Sequence, residues 1–216
     1  MNAKRMVLIN IILLIVLVGG GFTGYYFYNQ SVSYISTDNA QIAGQQISIA
    51  APASGKLTNW NGETGDTFSK NEKIGTLEMT TETGTAKMNV TVPANSTIVQ
   101  SSAVENSFVA AGTPLAKGYD MNHLWVTANI DETDLNDVKT GQDVDLYVDA
   151  YPNTTLTGKV DSLGLATAGT FSLLPTSNSS GNYTKETQVI PVKISIDNYG
   201  GLDLVPGMNV TVRIHK

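Results

Sequence analysis

Residues 47–78 read ISIAAPASGKLTNWNGETGDTFSKNEKIGTLE. Large apolar residues are few and spaced: Ile49, Leu57, Trp60, Phe68, Ile74 and Leu77. Gly55, Gly62, Gly65 and Gly75 punctuate them, and glycine supplies the φ > 0 positions that tight turns require. The stretch therefore reads as short strands joined by turns. Residues 88–118, MNVTVPANSTIVQSSAVENSFVAAGTPLAKG, form a weaker copy. Pro52-Ala53 is echoed by Pro93-Ala94, Leu57 by Ile98, Phe68 by Phe108, and Ile74 by Leu115. An internal repeat decides the fold class before other signals do. Two such half-motifs predict a small β-sandwich in which each half lends strands to one core. Between them, residues 79–87, MTTETGTAK, read as a short, mostly polar hairpin tip containing Gly84.

Composition sets the bounds around this centre. The chain has 216 residues, a formal net charge of -6 and no cysteine. Disulfide frameworks and thiolate chemistry are thereby excluded. His123 and His215 are the only histidines, too few for a structural zinc site. Val, Ile, Thr and Tyr outweigh long helix-forming runs, so the body reads as mainly β.

The N-terminus differs. Lys4 and Arg5 precede an apolar run over residues 6–28, interrupted by Asn10, Thr23 and several glycines. About 20 apolar residues at ~1.5 Å each span the ~30 Å hydrocarbon core of a bilayer. Tyr25, Tyr26 and Tyr28 fall where an interfacial aromatic belt lies, and the basic end belongs in the cytoplasm. Ser31-Val32-Ser33 offers a small-x-small cleavage pattern, but well beyond the apolar run, so an uncleaved single-pass anchor is favoured over a signal peptide. Either reading exports the rest of the chain. Removing Lys4 and Arg5 from 13 basic residues leaves 11 against 19 acidic ones, a balance of -8. Such a surface argues against nucleic acid and against lying on anionic lipid.

Residues 33–46 read as a polar connector leading into a first strand. Residues 123–130 compose a strand. Residues 131–141 carry helix punctuation: acidic residues at the start, Leu135 and Val138 as an apolar pair, and Gly141 as a cap. Residues 143–150, 156–163, 188–197 and 208–215 read as further strands, with Pro191 marking an edge or a bulge. The expected second module is a β-barrel of about five or six strands with one short helix. Residues 164–186 interrupt it with a long loop, and loops beyond ~12–15 residues in a compact domain tend to be functional or disordered. The divisions expected are a cytoplasmic N-terminus at 1–5, a transmembrane helix at 6–28, a connector and first strand at 29–46, a lipoyl-like domain at 47–118 and a barrel at 119–216.

Four stretches carry a resemblance. They are YISTDNAQ (34–41) with QQISI (45–49); ASGKL (53–57) through Gly65-Asp66 to IGTLE (74–78); LWVTAN (124–129) with ETDL (132–135) and VKTGQ (138–142); and FSLLP (171–175) with Asn178, Gly181-Asn182-Tyr183 and VIPV (189–192). In this order they resemble HlyD-type membrane fusion proteins, the periplasmic adaptor subunits of efflux and secretion pumps, in the EmrA-like branch. The resemblance implies a lipoyl/biotinyl-like sandwich followed by a barrel, export of drugs or other solutes by a partner transporter, and no catalysis or cofactor. It implies homo-oligomerisation and an integral-membrane exporter as partner, major-facilitator type before ABC type. In that family an α-helical hairpin is usually inserted between the lipoyl halves. Here only residues 79–87 occupy the place, which at ~3.3 Å per residue reach ~15 Å. An adaptor standing close to one membrane is expected.

Candidate chemistry is sparse. Lys87-Met88 resembles the modified lysine of lipoyl carriers, but its sequence context is incomplete. Asp131, Glu132, Asp134 and Asp137 lack the glycine and spacing of a calcium loop and fit a helix start better. No nucleophile elbow or catalytic set is suggested. The expected contact site for exporter or substrate is Phe171, Ser172, Leu173, Leu174, Pro175, Asn178, Gly181, Asn182 and Tyr183, because an apolar centre in a long loop marks contacts more often than cover. The rival reading is an extracytoplasmic binding module for cell-wall or peptide ligands.

Overall fold

The repeat is visible as a pattern of hydrogen bonds. In the computed structural model, which describes residues 3–81, 84–171 and 187–216 (side chains excepted at 3–10, 27–32, 81 and 171), Gly65 N–H donates to the Ile98 carbonyl and Asn106 N–H to the Leu57 carbonyl. These bonds map onto each other at an offset of 41 residues, as 98 − 57 and 106 − 65 both give. Six further pairs obey the same offset, among them Asn71 to Val92 with Gly112 to Ala51, and Asn61 to Ile74 with Ser102 to Leu115.

In chain order the elements are α1 (Ala3–Ser33), β1 (Tyr34–Thr37), β2 (Ala40–Ala50), β3 (Gly55–Trp60), β4 (Thr67–Phe68), β5 (Lys73–Thr81), β6 (Gly84–Thr91), β7 (Ser96–Ser101), β8 (Phe108–Val109), β9 (Pro114–Asp131), β10 (Asp143–Val148), β11 (Thr155–Leu163), β12 (Val189–Ile196) and β13 (Val210–His215). Among the described residues the chain is mainly β with one α-helix, and it divides into two units.

The sandwich unit comprises Gln41–Val126 and Gly201–Met208. Its halves exchange their shortest strands. β4 pairs with β7 (Thr67↔Thr97, Phe68↔Ser96), and β8 pairs with β3 (Lys56↔Phe108, Gly55↔Val109). Leu57, Ile74, Ile98 and Leu115 meet in one core, each at most 1% exposed. Where the repeat needs a left-handed residue it alternates glycine and asparagine: Gly65 (φ 100) matches Asn106 (φ 65), and Asn71 (φ 66) matches Gly112 (φ 80). Both residue types tolerate that conformation.

One sequence-level pairing is corrected here. At the offset of 41, Phe108 corresponds to Thr67, and Phe68 to Val109. In a strand successive side chains face opposite ways. Phe68 and Val109 accordingly pack on the core, whereas Phe108 points outward and is 75% exposed. The hairpin between the halves is an antiparallel ladder with a bulge between Lys73 and Gly75 and a regular register from Gly75↔Val90 to Thr81↔Gly84.

The barrel unit comprises Met1–Ala40, Thr127–Gly200 and Asn209–Lys216. Its strands lie in the order β1-β13-β10-β11-β12-β9. The two ends meet: Asn129 N–H donates to the Asn39 carbonyl at 2.8 Å, and the Thr37 hydroxyl donates to the Asn129 carbonyl at 3.0 Å. Alternating residues fill the interior, including Val144, Leu146 and Val148 on β10 and Val210, Val212 and Ile214 on β13.

Three more expectations change. The supposed connector at 33–46 is mostly strand, because β1 pairs with β13 from Tyr34↔His215 to Thr37↔Val212. The expected helix at 131–141 is a single 3-10 turn, Leu135–Asp137. Asp134 makes no side-chain cap, Val138 is already extended, and Gly141 and Gln142 bond to Val160 of β11. Pro191 lies inside the sheet, since β12 has β11 on one side and β9 on the other. Its carbonyl accepts from Gly164 N–H at 2.7 Å, and the neighbouring irregularity falls in β11 between Val160 and Ser162.

α1 is a 31-residue helix. Side chains are described over residues 11–26 of it, and there Ile11–Val18, Phe22, Tyr25 and Tyr26 are more than half exposed. Among the described residues no helix is long and apolar enough to cross a membrane.

Candidate functional site

The loop expected to make contacts springs from β11 and returns to β12. Ser172, Leu173, Leu174, Pro175, Asn178, Gly181, Asn182 and Tyr183 lie outside the described residues, as does the side chain of Phe171. Its stems are ordered by pairing. Gly164 N–H bonds Pro191, Glu132 N–H donates to the Gln188 carbonyl at 2.9 Å, and a 3-10 turn Ala168–Phe171 starts the excursion. Leu165, beside the first stem, is fully exposed. On the anchor, Tyr25 and Tyr26 are exposed, while the side chains of Lys4, Arg5 and Tyr28 lie outside the description.

Two concave surfaces are present. The barrel unit holds a polar groove of about 600 Å3 lined by Ser36, Asp38, Asn39, Asn129, Asp131 and Asp134, among others. Among the described residues no group of three or more acidic or histidine side chains is gathered closely enough to hold a metal ion. The acidic residues at 131–137 are spread along a turn instead, and Asp137 is spoken for by Lys216 at 2.8 Å.

The sandwich unit holds an apolar cleft of about 650 Å3, within the ~300–1,000 Å3 range of ligand pockets. Ile42 and Ile98 are buried at its floor, and Val99, Tyr119, Met121, Val205 and Pro206 wall it. Residues 201–208 are held to β2 by two backbone bonds: Gly207 N–H to the Ile42 carbonyl and Ile42 N–H to the Met208 carbonyl. No charged side chain lines the cleft. Sequence reasoning missed this site. Pro206-Gly207 reads locally as a turn, and nothing near it points to β2, more than 160 positions away.

The surface charges serve the sheet. Lys159 of β11 hydrogen-bonds Asp143 across the ladder, holding that carboxyl below its usual range and the ammonium above its own. The hydrogen bond from Lys216 lowers Asp137 in the same way. His215 pairs with Asp145 at 3.0 Å and stacks edge-on against Tyr34, with ring centroids 4.8 Å apart. Each pair links neighbouring elements at the surface, and none is arranged around a reacting atom.

Comparison with known proteins agrees with this architecture. Residues 45–120 match the family model of the YhbJ barrel-sandwich hybrid domain, and residues 124–214 that of the YknX-like beta-barrel domain. The putative efflux system component YhbJ of Bacillus subtilis is 43% identical over 100% of this chain and 95% of that protein. The colistin resistance protein EmrA of Acinetobacter baumannii is 39% identical over 60% of this chain, but the match spans 37% of that longer protein. Among solved structures, ZneB from Cupriavidus metallidurans superposes with a TM-score of 0.63 over 84% of this chain and 98% of that one, at 16% identity. The periplasmic adaptor protein EmrA gives 0.56 over 86% and 99%, at 12% identity. At such identities these structures establish the fold alone. The full-length match at 43% identity, together with both domain matches, carries more: this chain belongs with the efflux system component YhbJ in the HlyD-type membrane fusion protein family, the non-enzymatic adaptors of efflux systems.

Proposed function

We propose that the chain is a membrane-anchored adaptor that assembles as a homo-oligomer with an integral-membrane exporter of the major-facilitator type and assists export of drugs or other solutes. The observation that carries the reading is the β5–β6 ladder, which keeps one register from Gly75↔Val90 to Thr81↔Gly84. Where family members insert a helical hairpin, this sandwich simply closes. The adaptor therefore stands close to one membrane.

α1 supplies the anchor. This rests on the apolar run over residues 6–28, part of whose side chains lie outside the described residues: at ~1.5 Å per residue it would extend ~35 Å, against a ~30 Å hydrocarbon core. Exposed Ile11–Val18 would face lipid, and exposed Tyr25 and Tyr26 would sit at the interface opposite the cytoplasmic Lys4 and Arg5. Beyond the membrane, residues 171–183, which follow β11 and precede β12 in the chain, form the contact with the exporter or its substrate. The physical task is scaffolding, with two stiff β modules held at the exit of the transport path.

Purification of the tagged full-length chain from detergent-solubilised membranes tests the reading. A multi-span transporter should co-purify, and its absence refutes the partnership. Replacing Phe171 and Leu174 by Ser should abolish pump-dependent resistance with folded protein undiminished. Unchanged resistance removes the loop from the contact.

A further inference from the structure

The repeat lets the sandwich unit be compared with itself. Thr64, Gly65, Thr97, Ile98 and Val99 of the apolar cleft belong to the repeat. Forty-one positions away their counterparts are Glu105, Asn106, Lys56, Leu57 and Thr58. The backbone is the same at both places, since Gly65 to Ile98 and Ile98 to Asp66 are matched by Asn106 to Leu57 and Leu57 to Ser107. Yet one face is neutral and concave, and its image is charged.

The image face departs in the opposite sense as well. It exposes Val104 (65%) and Phe108 (75%) on one turn, where the cleft side has Glu63 and Thr67. Neither apolar side chain serves the core of its own chain. The repeat is thus broken in complementary directions, with an apolar hollow on one face and an apolar projection on the face related to it by the pseudo-two-fold. Lys56 lies opposite Phe108 in the ladder, whereas the residues that line the cleft carry no charge.

We propose that the 104–108 turn of one copy seats Val104 and Phe108 in the cleft walled by Val99, Tyr119, Met121 and Val205 of the next copy. The contact is heterologous, because the two partners present different, pseudo-two-fold-related faces, and contacts of that kind propagate head to tail until they close. This deepens the homo-oligomer reading above and rests on it. It names which surface meets which.

The chain contains no cysteine, so introduced thiols report the contact directly. Full-length Phe108→Cys and Val99→Cys chains, mixed in detergent micelles and oxidised, should form disulfide dimers, and neither chain alone should. Phe108→Ser should leave thermal unfolding unchanged, since the ring is exposed, and weaken self-association by about tenfold to hundredfold, the loss of one buried phenyl ring. Dimers from Phe108→Cys alone would mean a self-complementary contact and overturn the proposal. Oligomers that ignore Phe108→Ser and yield no mixed disulfide place the interface elsewhere, leaving the homo-oligomer reading intact. A chain monomeric at every concentration refutes both. Binding of N-phenylnaphthylamine that is lost in Val99→Asp yet undiminished in the oligomer would show the cleft open to small apolar solutes, and would equally overturn the seating of a second copy.

Discussion

Gly158→Ala is the substitution on which the barrel's geometry speaks most plainly. Gly158 is buried in β11, opposite Val144 of β10 and Ile196 of β12. A Cβ placed there would lie 2.0 Å from the Ser195 carbonyl oxygen, a backbone atom that cannot rotate away. Ordinary contact would require β11 and β12 to separate by more than an ångström. Overpacking of a tight interior costs about 1–3 kcal/mol, and each ladder hydrogen bond left unmade adds about 1–3 kcal/mol. With one bond lost the total is about 2–6 kcal/mol. At about 2–4 °C per kcal/mol for a chain of this size, Tm should fall by about 4–24 °C. Circular dichroism melts of the full chain in detergent measure this. Gly169→Ala is the control, because its added methyl would meet only the end of the Gln188 side chain, at 3.1 Å. Equal melting of Gly158→Ala and wild type would refute the tight β11–β12 approach. The same strands are the stems of the contact loop, so pump-dependent resistance should fall with the melting point.

Other expectations follow from the same geometry. Leu57→Ala and Ile98→Ala occupy repeat-related sites that are 0% and 1% exposed, and each should cost about 2–5 kcal/mol in denaturant unfolding; a large cost for one and none for the other would deny them equivalent places in the core. Asp143 has a lowered folded-state pKa through its Lys159 bond, so its stabilisation is present above the unfolded carboxylate pKa and lost as pH falls through the folded value. NMR titration should show that low midpoint, and Lys159→Met should return it to the ordinary range. Insertion of four Gly/Ser residues between Thr81 and Gly84 should lower stability by less than about 1 kcal/mol, since loop closure entropy rises slowly with length; unfolding by this insertion would mean that the tip braces the sandwich.

Much of the function rests on what can be read along the chain. The spacing of Gly55, Gly62, Gly65 and Gly75 between single apolar residues is a local signal, and so is its echo through Leu115. Of the four glycines only Gly65 takes the expected left-handed turn conformation (φ 100); Gly55, Gly62 and Gly75 are there for close approach instead, since an added Cβ would lie 2.7, 2.6 and 2.9 Å from its nearest neighbour. The brevity of 79–87 is likewise a matter of counting, and it separates this adaptor from relatives with a helical hairpin. Other features needed distant partners. β1 reads as a polar connector until Tyr34 is seen opposite His215. Pro191 reads as an edge residue until β11 and β9 flank it. Phe108 reads as a core residue by analogy with Phe68 until the offset of 41 turns it outward, and the cleft exists only because residues 41–44, 64–65, 97–99, Tyr119, Met121 and 205–207 converge. Turn chemistry and hydrophobic spacing act within a few residues, so the chain by itself determined two β modules joined by a short hairpin. Which face each strand presents depends on pairings formed across the whole length, and only the tertiary structure decided where the repeat is broken and what surface that leaves.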